Sequence, residues 1–289
     1  AVNAVLARAG VSAQDVIAIG CHGQTVRHRP ALGYTVQIGN PALLAELAGI
    51  RVVSDFRRRD IAAAGQGAPL VPAFHAFAFS SSDEDRIVVN LGGIANLTWL
   101  PRSGSVAGFD CGPGNCLLDL WASKHLGAPM DANGDWAAGG TVDPGLLERF
   151  LAERYVIAPP PKSTGRDLFN ADWLSVHGVD ASDPRTIQAT LLEFSARCVS
   201  DACRRYYPDA ERLIVCGGGL RNGALMRRLR SLCSPLPLVS SETCGLAPES
   251  VEAVAFAWLA KMALEGVPAN VPAVTGARGP RVLGAIYPN

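Results

Sequence analysis

The chain has 289 residues, 48% of them hydrophobic, and its 26 Lys and Arg balance 26 Asp and Glu. That length and apolar content support a large core and point to two domains. The charge balance excludes a broad basic surface, and with it nucleic acid as an expected partner. No run of eighteen apolar residues occurs, and the opening AVNAVLARAG lacks the layout of a signal peptide, so no membrane span and a cytoplasmic setting are expected. The eight cysteines contain no C-x-x-C pair and sit mostly in apolar runs, which reads as reduced thiols.

In chain order, Val2, Val5, Leu6 and Ala9 mark one face of a helix at the very start. Because the first residue is not Met, the chain is expected to lack its natural beginning. VIAIG (16 to 20) and YTVQIG (34 to 39) read as strands, followed by the helix PALLAELAG and the strand RVVSDF. A helix at about 70 to 79 leads into the polar linker SSSDED. A domain boundary is placed there: an N-terminal domain over 1–82, completed by 276–289, and a C-terminal domain over 83–275.

Beyond the linker, RIVVNLGG, IANLTWL and SVAGFD form three strand-like runs with glycine turns, an antiparallel meander, and a helix follows at about 115 to 125. Residues 156 to 185, rich in Pro, Gly and Asp, read as a surface excursion. A long helix then carries Ile187, Leu191, Phe194, Cys198 and Ala202 on one face. RLIVCGGG reads as a buried strand, and the next helix carries Leu225, Leu229 and Leu232. The last helix, about 248 to 265, is expected to face the core with Val251, Val254, Trp258 and Met262. Alternating strands and helices place the chain in the α/β class.

Chemistry concentrates near glycines. In CGGGLRN (216 to 222) the exposed backbone amides of Gly217, Gly218 and Gly219 could hold an anion or let a flat ring lie close. Asn222 stands where the dinucleotide fingerprint needs its third glycine, which counts against an NAD-dependent oxidoreductase. A tight turn without function is the plainer alternative. In NLGGIAN, Gly92 and Gly93 form either a phosphate-approaching turn or an ordinary hairpin turn. HGQTVRH (22 to 28) and DFRRRD (55 to 60) lie just past strand ends, where α/β proteins bind ligands. His22 and His28 fit no metal spacing, and no metal ligands are expected in the protein. Asp110, in GFDCGPGN, is a lone carboxylate on a side-chain-poor bend. It reads either as a general base with room for water or as a turn or helix cap.

The motifs HGQTVRH, DFRRRDIAAAGQGAPLVP, VNLGGIANLT, GFDCGPGN, STGRDLFN, CGGGLRN and PESVEAVAFAWLA occur in the order and spacing of anhydro-N-acetylmuramic acid kinases, and the chain resembles that family over essentially its whole length. The resemblance implies a two-domain, actin-like (RNase H-like) sugar kinase fold with an interdomain cleft. The first domain would be N-terminally incomplete, since no stretch matches the family's Gly-Thr-Ser-x-Asp-Gly phosphate loop. The implied reaction converts 1,6-anhydro-N-acetylmuramic acid, ATP and water to N-acetylmuramic acid 6-phosphate in peptidoglycan recycling. Asp110 would be the catalytic base. His22, Gln24, Thr25, Arg57, Asp60, Gln66 and Glu252 would bind the sugar. Gly92, Gly93, Gly112, Gly114, Asn115, Gly217, Gly218, Gly219 and Asn222 would surround the nucleotide. ATP and Mg²⁺ are the implied co-substrate and cofactor, with a homodimer as the plausible assembly. A catalytically silent nucleotide- or sugar-binding remnant is the alternative.

Overall fold

The computed structural model describes residues 1–179 and 182–289. Asp180 and Ala181, within the stretch read as a surface excursion, lie outside the described residues. The strands in chain order are β1 (Ile19–Gly20), β2 (Gln24–Arg29), β3 (Tyr34–Ile38), β4 (Val52–Ser54), β5 (Arg86–Leu91), β6 (Ile94–Leu100), β7 (Ala107–Pro113), β8 (Arg212–Cys216), β9 (Leu238–Ser240) and β10 (Ala285–Tyr287).

The chain divides into two compact units, one of residues Ala1–Phe74 and Glu252–Asn289, the other of His75–Val251. The last helix, Val251–Leu264, therefore falls almost entirely in the first unit, whereas the sequence reading placed it in the second. Packing explains this: Phe256, Leu259, Ala260, Met262 and Ala263 pack with Val53, Phe56 and Leu70. Of the expected core face, Val251 and Met262 are buried and Trp258 packs partly buried against the core, while one position departs from it. Val254 is exposed, while Ala255, Phe256 and Leu259 are buried, because a helix apolar on nearly every side gives periodicity nothing to select.

In the first unit, β4 is the middle of a three-stranded sheet, parallel to β1 and antiparallel to β10. The HGQTVRH segment is not a loop beyond a strand. Its residues 24–28 belong to β2, which forms a hairpin with β3. The pattern was missed because polar and charged side chains occur on both faces of this largely exposed ribbon.

In the second unit the sheet order is β7-β6-β5-β8-β9. β5, β6 and β7 form the expected antiparallel meander, and β8 joins β5 in parallel, followed by β9. This three-two-one-four-five order is the layer of an RNase H-like fold. One face of it packs through Ile87, Val89, Leu91, Leu97, Phe109 and Val215 against the long helix Pro184–Tyr206. That helix buries Ile187, Leu191, Phe194, Cys198 and Ala202, as their spacing requires.

The stretch from 156 is only partly a surface excursion. Phe169, Trp173, Leu174 and Val179 are buried in the main core, and the Trp173 and Phe194 rings stack with centroids 5.7 Å apart. Burying such aromatic area outweighs the loop-like composition around it. All eight cysteines are free thiols. Among the described residues no helix is long and apolar enough to cross a membrane.

Candidate functional site

Strand alternation sends Phe109 and Cys111 into the core and Asp110 to the opposite face of the sheet. Asp110 is 5% exposed and lies beside a bulge, since Ala95 pairs with Gly112 and Asn96 with Asp110, leaving Cys111 unmatched. Bulges of this kind re-aim a side chain and interrupt the ladder. Asp110 Oδ2 accepts a hydrogen bond from the Thr164 backbone N–H at 3.0 Å. The Asp110 amide donates to the Lys162 carbonyl at 3.3 Å, and the Tyr155 hydroxyl donates to the Asp110 carbonyl at 2.7 Å.

The thiol and the phenol beside this acid are poor competitors as bases. Burial raises the Cys111 thiol to about 12, with the Asp110 charge adding to the effect. Burial, and then Asp110, push the Tyr155 phenol far above its usual range. Lys162 is lowered, first by burial, and its Nζ donates to the carbonyls of Tyr155 and Val156 at 3.0 and 2.9 Å.

Three glycine segments meet near one corner of the second unit. Gly92 and Gly93 form the turn between β5 and β6, and their carbonyls accept from the amides of Gly114, Asn115 and Cys116 at 2.9 to 3.0 Å. A side chain at Gly114 would strike the Gly92 carbonyl. The amides of Gly114 and Asn115 are thus committed to bracing the turn. Asn115 Nδ2 donates to the Leu91 carbonyl at 3.3 Å and would lie 3.2 Å from a Cβ on Gly219. Gly217 has φ 87°, which favours glycine, and a Cβ there would collide with Asn90 Oδ1. Gly218 differs from both neighbours: a Cβ added to it meets nothing within 4 Å. It is the position where a ring could approach bare backbone.

Asn222 has a structural task. It is the N-cap of the helix Gly223–Cys233, and its Oδ1 accepts from the Leu225 amide at 3.0 Å. Asn133 Oδ1 likewise accepts from the Gly223 amide at 3.1 Å. Two of the free amides at this helix start are therefore already satisfied from within the chain.

Sequence reasoning missed Arg166, within the STGRDLFN motif. It is exposed, and its Nε and Nη2 lie 3.6 Å from where a Cβ on Gly93 would stand. A guanidinium at a bare-backbone turn is a suitable partner for phosphate oxygens. The signal available was an arginine in a glycine-containing motif, but only the fold shows that the motif reaches the turn.

In the first unit, Arg57 donates from Nε to His22 Nε2 at 2.8 Å and from Nη1 to the Gly67 carbonyl at 2.7 Å. The His22 ring lies 4.7 Å from Phe256, one helical turn after Glu252, which is exposed. Burial, then the Arg57 charge, lower His22 to about 4. His22 also lines a cavity of about 140 Å³ with Cys21, Gln37, Ser54, Asp55 and Arg58. Gln24 is exposed, and Thr25 accepts on Oγ1 from Gln37 Nε2 at 3.0 Å. The Gln66 amide donates to the Thr275 carbonyl at 2.7 Å.

Asp60 is 0% exposed, which is at odds with the expected sugar contact. Its Oδ2 accepts from the Gly67 amide at 2.8 Å, and its Oδ1 from Asn270 Nδ2 and Thr275 Oγ1, each at 2.8 Å. A desolvated carboxylate persists only when satisfied in this way. Here it holds the Gly65–Gly67 turn. Among the described residues no group of three or more His, Cys, Asp or Glu is arranged to hold a metal ion.

The sequence model of the family described as anhydro-N-acetylmuramic acid kinase matches residues 1–289. An anhydro-N-acetylmuramic acid kinase of Chromobacterium violaceum is 54% identical, covering 100% of this chain and 79% of that protein. One from Pseudomonas putida is 53% identical, covering 99% and 80%. Among solved structures, the activator of 2-hydroxyisocaproyl-CoA dehydratase from Clostridium difficile with bound ADPNP aligns with a TM-score of 0.38 and 15% identity, over 75% of this chain and 70% of that one. Component A of the Acidaminococcus fermentans (R)-2-hydroxyglutaryl-CoA dehydratase gives 0.43 and 13%, over 89% and 80%. Those two likenesses are too slight to bear on the fold.

Proposed function

The chain belongs to the anhydro-N-acetylmuramic acid kinase family, and from that premise we propose that it is an ATP-dependent kinase converting 1,6-anhydro-N-acetylmuramic acid and water to N-acetylmuramic acid 6-phosphate. Asp110 takes a proton from the attacking water, whose oxygen bonds to C1 as the C1–O6 bond breaks. O6 receives the γ-phosphoryl group, and ADP leaves. A separate general acid for O6 is unnecessary, because its developing charge passes to phosphorus.

The strongest support is the placement of Asp110: a desolvated carboxylate on the same sheet as the Gly92–Gly93 and Gly217–Gly219 turns. Gly92, Gly93, Gly112, Gly114 and Asn115 shape the phosphate end, Arg166 neutralises it, and Gly217, Gly218 and Gly219 border the adenosine. His22, Gln24, Thr25, Arg57, Gln66 and Glu252 hold the sugar, with Asp60 supporting them through the turn it fixes.

Mg²⁺ accompanies the nucleotide and supplies counter-charge to its phosphates. The chain offers hard oxygen donors rather than a cage, and the Asn90 side chain against the Gly217 turn fits contact with the hydrated ion. A cytoplasmic setting, a role in peptidoglycan recycling and a homodimeric assembly complete the proposal.

The test is an ADP-release assay with the anhydro sugar and Mg-ATP in ¹⁸O-labelled water. Sugar-dependent ADP release with the label at C1 is expected. Release without label, or tight binding of both substrates without turnover, overturns the reading.

A further inference from the structure

The row of side chains across β5, β6 and β7 contains one unexplained group. Asn90 pairs with Asn96, and Asn96 pairs with Asp110, so the three side chains stand side by side on the face opposite the main core. Directly paired residues of an antiparallel ladder have Cβ atoms about 5 Å apart. Asn96 is 8% exposed, and its Oδ1 is buried with no hydrogen-bond partner among the described residues. A buried amide oxygen left unsatisfied is costly and uncommon. Its neighbours on either side are an acid proposed as a base and an asparagine that abuts the Gly217 turn.

A water molecule that attacks carbon carries two protons and directs a lone pair at its target. Asp110 can receive only one of those protons. In a site closed to bulk solvent, the second needs an acceptor close to Asp110, or the water turns between several orientations. We propose that Asn96 is a positioning residue whose Oδ1 accepts the second hydrogen of the water deprotonated by Asp110, so that the water oxygen is aimed at C1 of the bridged sugar. Asn96 neither gains nor loses a proton in the step. The departing proton goes to Asp110, the second remains on the new C1 hydroxyl, and the C1–O6 electron pair leaves with O6 toward phosphorus. The inference rests on the proposed reaction and deepens it.

The variants Asn96→Leu and Asn96→Ala test it in the full chain, with Asp110→Asn alongside. The leucine approximates the carboxamide in shape and removes the orphan acceptor. Its Tm is expected to equal or exceed that of the wild type, since no protein hydrogen bond is lost. Its kcat is expected to fall by about 30-fold or more, while KM for sugar and for ATP stays within about 3-fold, as loss of orientation predicts. A leucine variant with near-wild-type kcat overturns the inference, as does one whose loss lies wholly in KM, or whose Tm drops as a packing role requires. A wild type that turns over, with Asp110→Asn inactive and Asn96→Leu fully active, refutes this inference alone. A wild type that never turns over refutes the proposed reaction itself.

A readout independent of turnover is a high-resolution crystal structure of the wild type. It should show an ordered water within about 3.2 Å of both Asn96 Oδ1 and the Asp110 carboxylate. A dry Oδ1, or one bonded to protein, overturns the assignment.

Discussion

Arg57 donates its Nε–H to His22 Nε2, which fixes the imidazole in its neutral form with Nδ1–H directed to the Gly23 carbonyl at 2.8 Å. Two distant sequence motifs thereby become one rigid feature of the first unit. Protonating His22 would break the bond and place two positive charges together.

This has a consequence for acid stability. His22 is lowered from 6.5 to about 4, and His75, fully buried with Nδ1 hydrogen-bonded to Thr98 Oγ1, is lowered to about 3. Burial is the first cause for both. Between pH 6.5 and these values the unfolded chain binds protons that the folded chain does not. Stability therefore falls as pH drops through that window and is fully present above it. Tm measured against pH should decline from about pH 6.5 downward, and His22→Gln should make the decline shallower. An unchanged slope in that variant contradicts the assignment.

Asp110→Asn should abolish turnover while leaving ATP affinity within about 3-fold, because the acid serves water and not nucleotide. Steady-state kinetics together with calorimetric titration of ATP separate the two effects. A variant retaining near-full rate removes Asp110 from the chemistry.

Gly217 and Gly218 should respond oppositely to alanine. At Gly217 the new methyl group meets Asn90 and the Leu91 backbone at a positive φ. Tm should therefore drop by several degrees, for a cost of about 2 kcal/mol. At Gly218 the methyl group enters open space, so Tm should hold while KM for ATP rises. Equal losses of Tm would contradict this division of roles.

Asp60→Ala removes the acceptor from three donors, the Gly67 amide, Asn270 and Thr275. Urea unfolding should show a loss of about 3 kcal/mol, a large fraction of a typical domain's stability. Retained stability with a selective rise in KM for sugar would instead return Asp60 to direct substrate contact.

Arg166→Ala should raise KM for ATP about 10-fold with little change in Tm, since the side chain is exposed beside Gly93. Lysine at this position should restore only part of the loss, having charge without the planar fork.

Much of the fold was legible because its strongest elements have a single clear period. The helix Pro184–Tyr206 repeats the anchors Ile187, Leu191, Phe194, Cys198 and Ala202 every three or four positions, although it is buried on most sides, and the β5–β6 turn is written as Gly92-Gly93. The hairpin β2–β3 was not legible, since no face of HGQTVRH is apolar. Within the candidate site, the glycine segments and Asp110 stood out from their neighbours. Asp60 misled because a polar side chain beside glycines suits either a ligand or the turn's own amides, and only coordinates show which donors it meets. Arg166 and Asn96 were hidden for the converse reason. Arg166 reaches Gly93 across 72 residues of intervening chain, and Asn96 acquires its neighbour through strand register.

The carbonyls of Gly92 and Gly93 clasp the amides just beyond β7, so the bend that would cradle phosphate and the strand that carries Asp110 form one closed mechanical linkage. Pressure on the bend from an arriving nucleotide would travel to the acid through these main-chain bonds. Readiness of the base and occupancy of the cradle would then be a single degree of freedom, and sequence drift at either end would be felt as misalignment at the other.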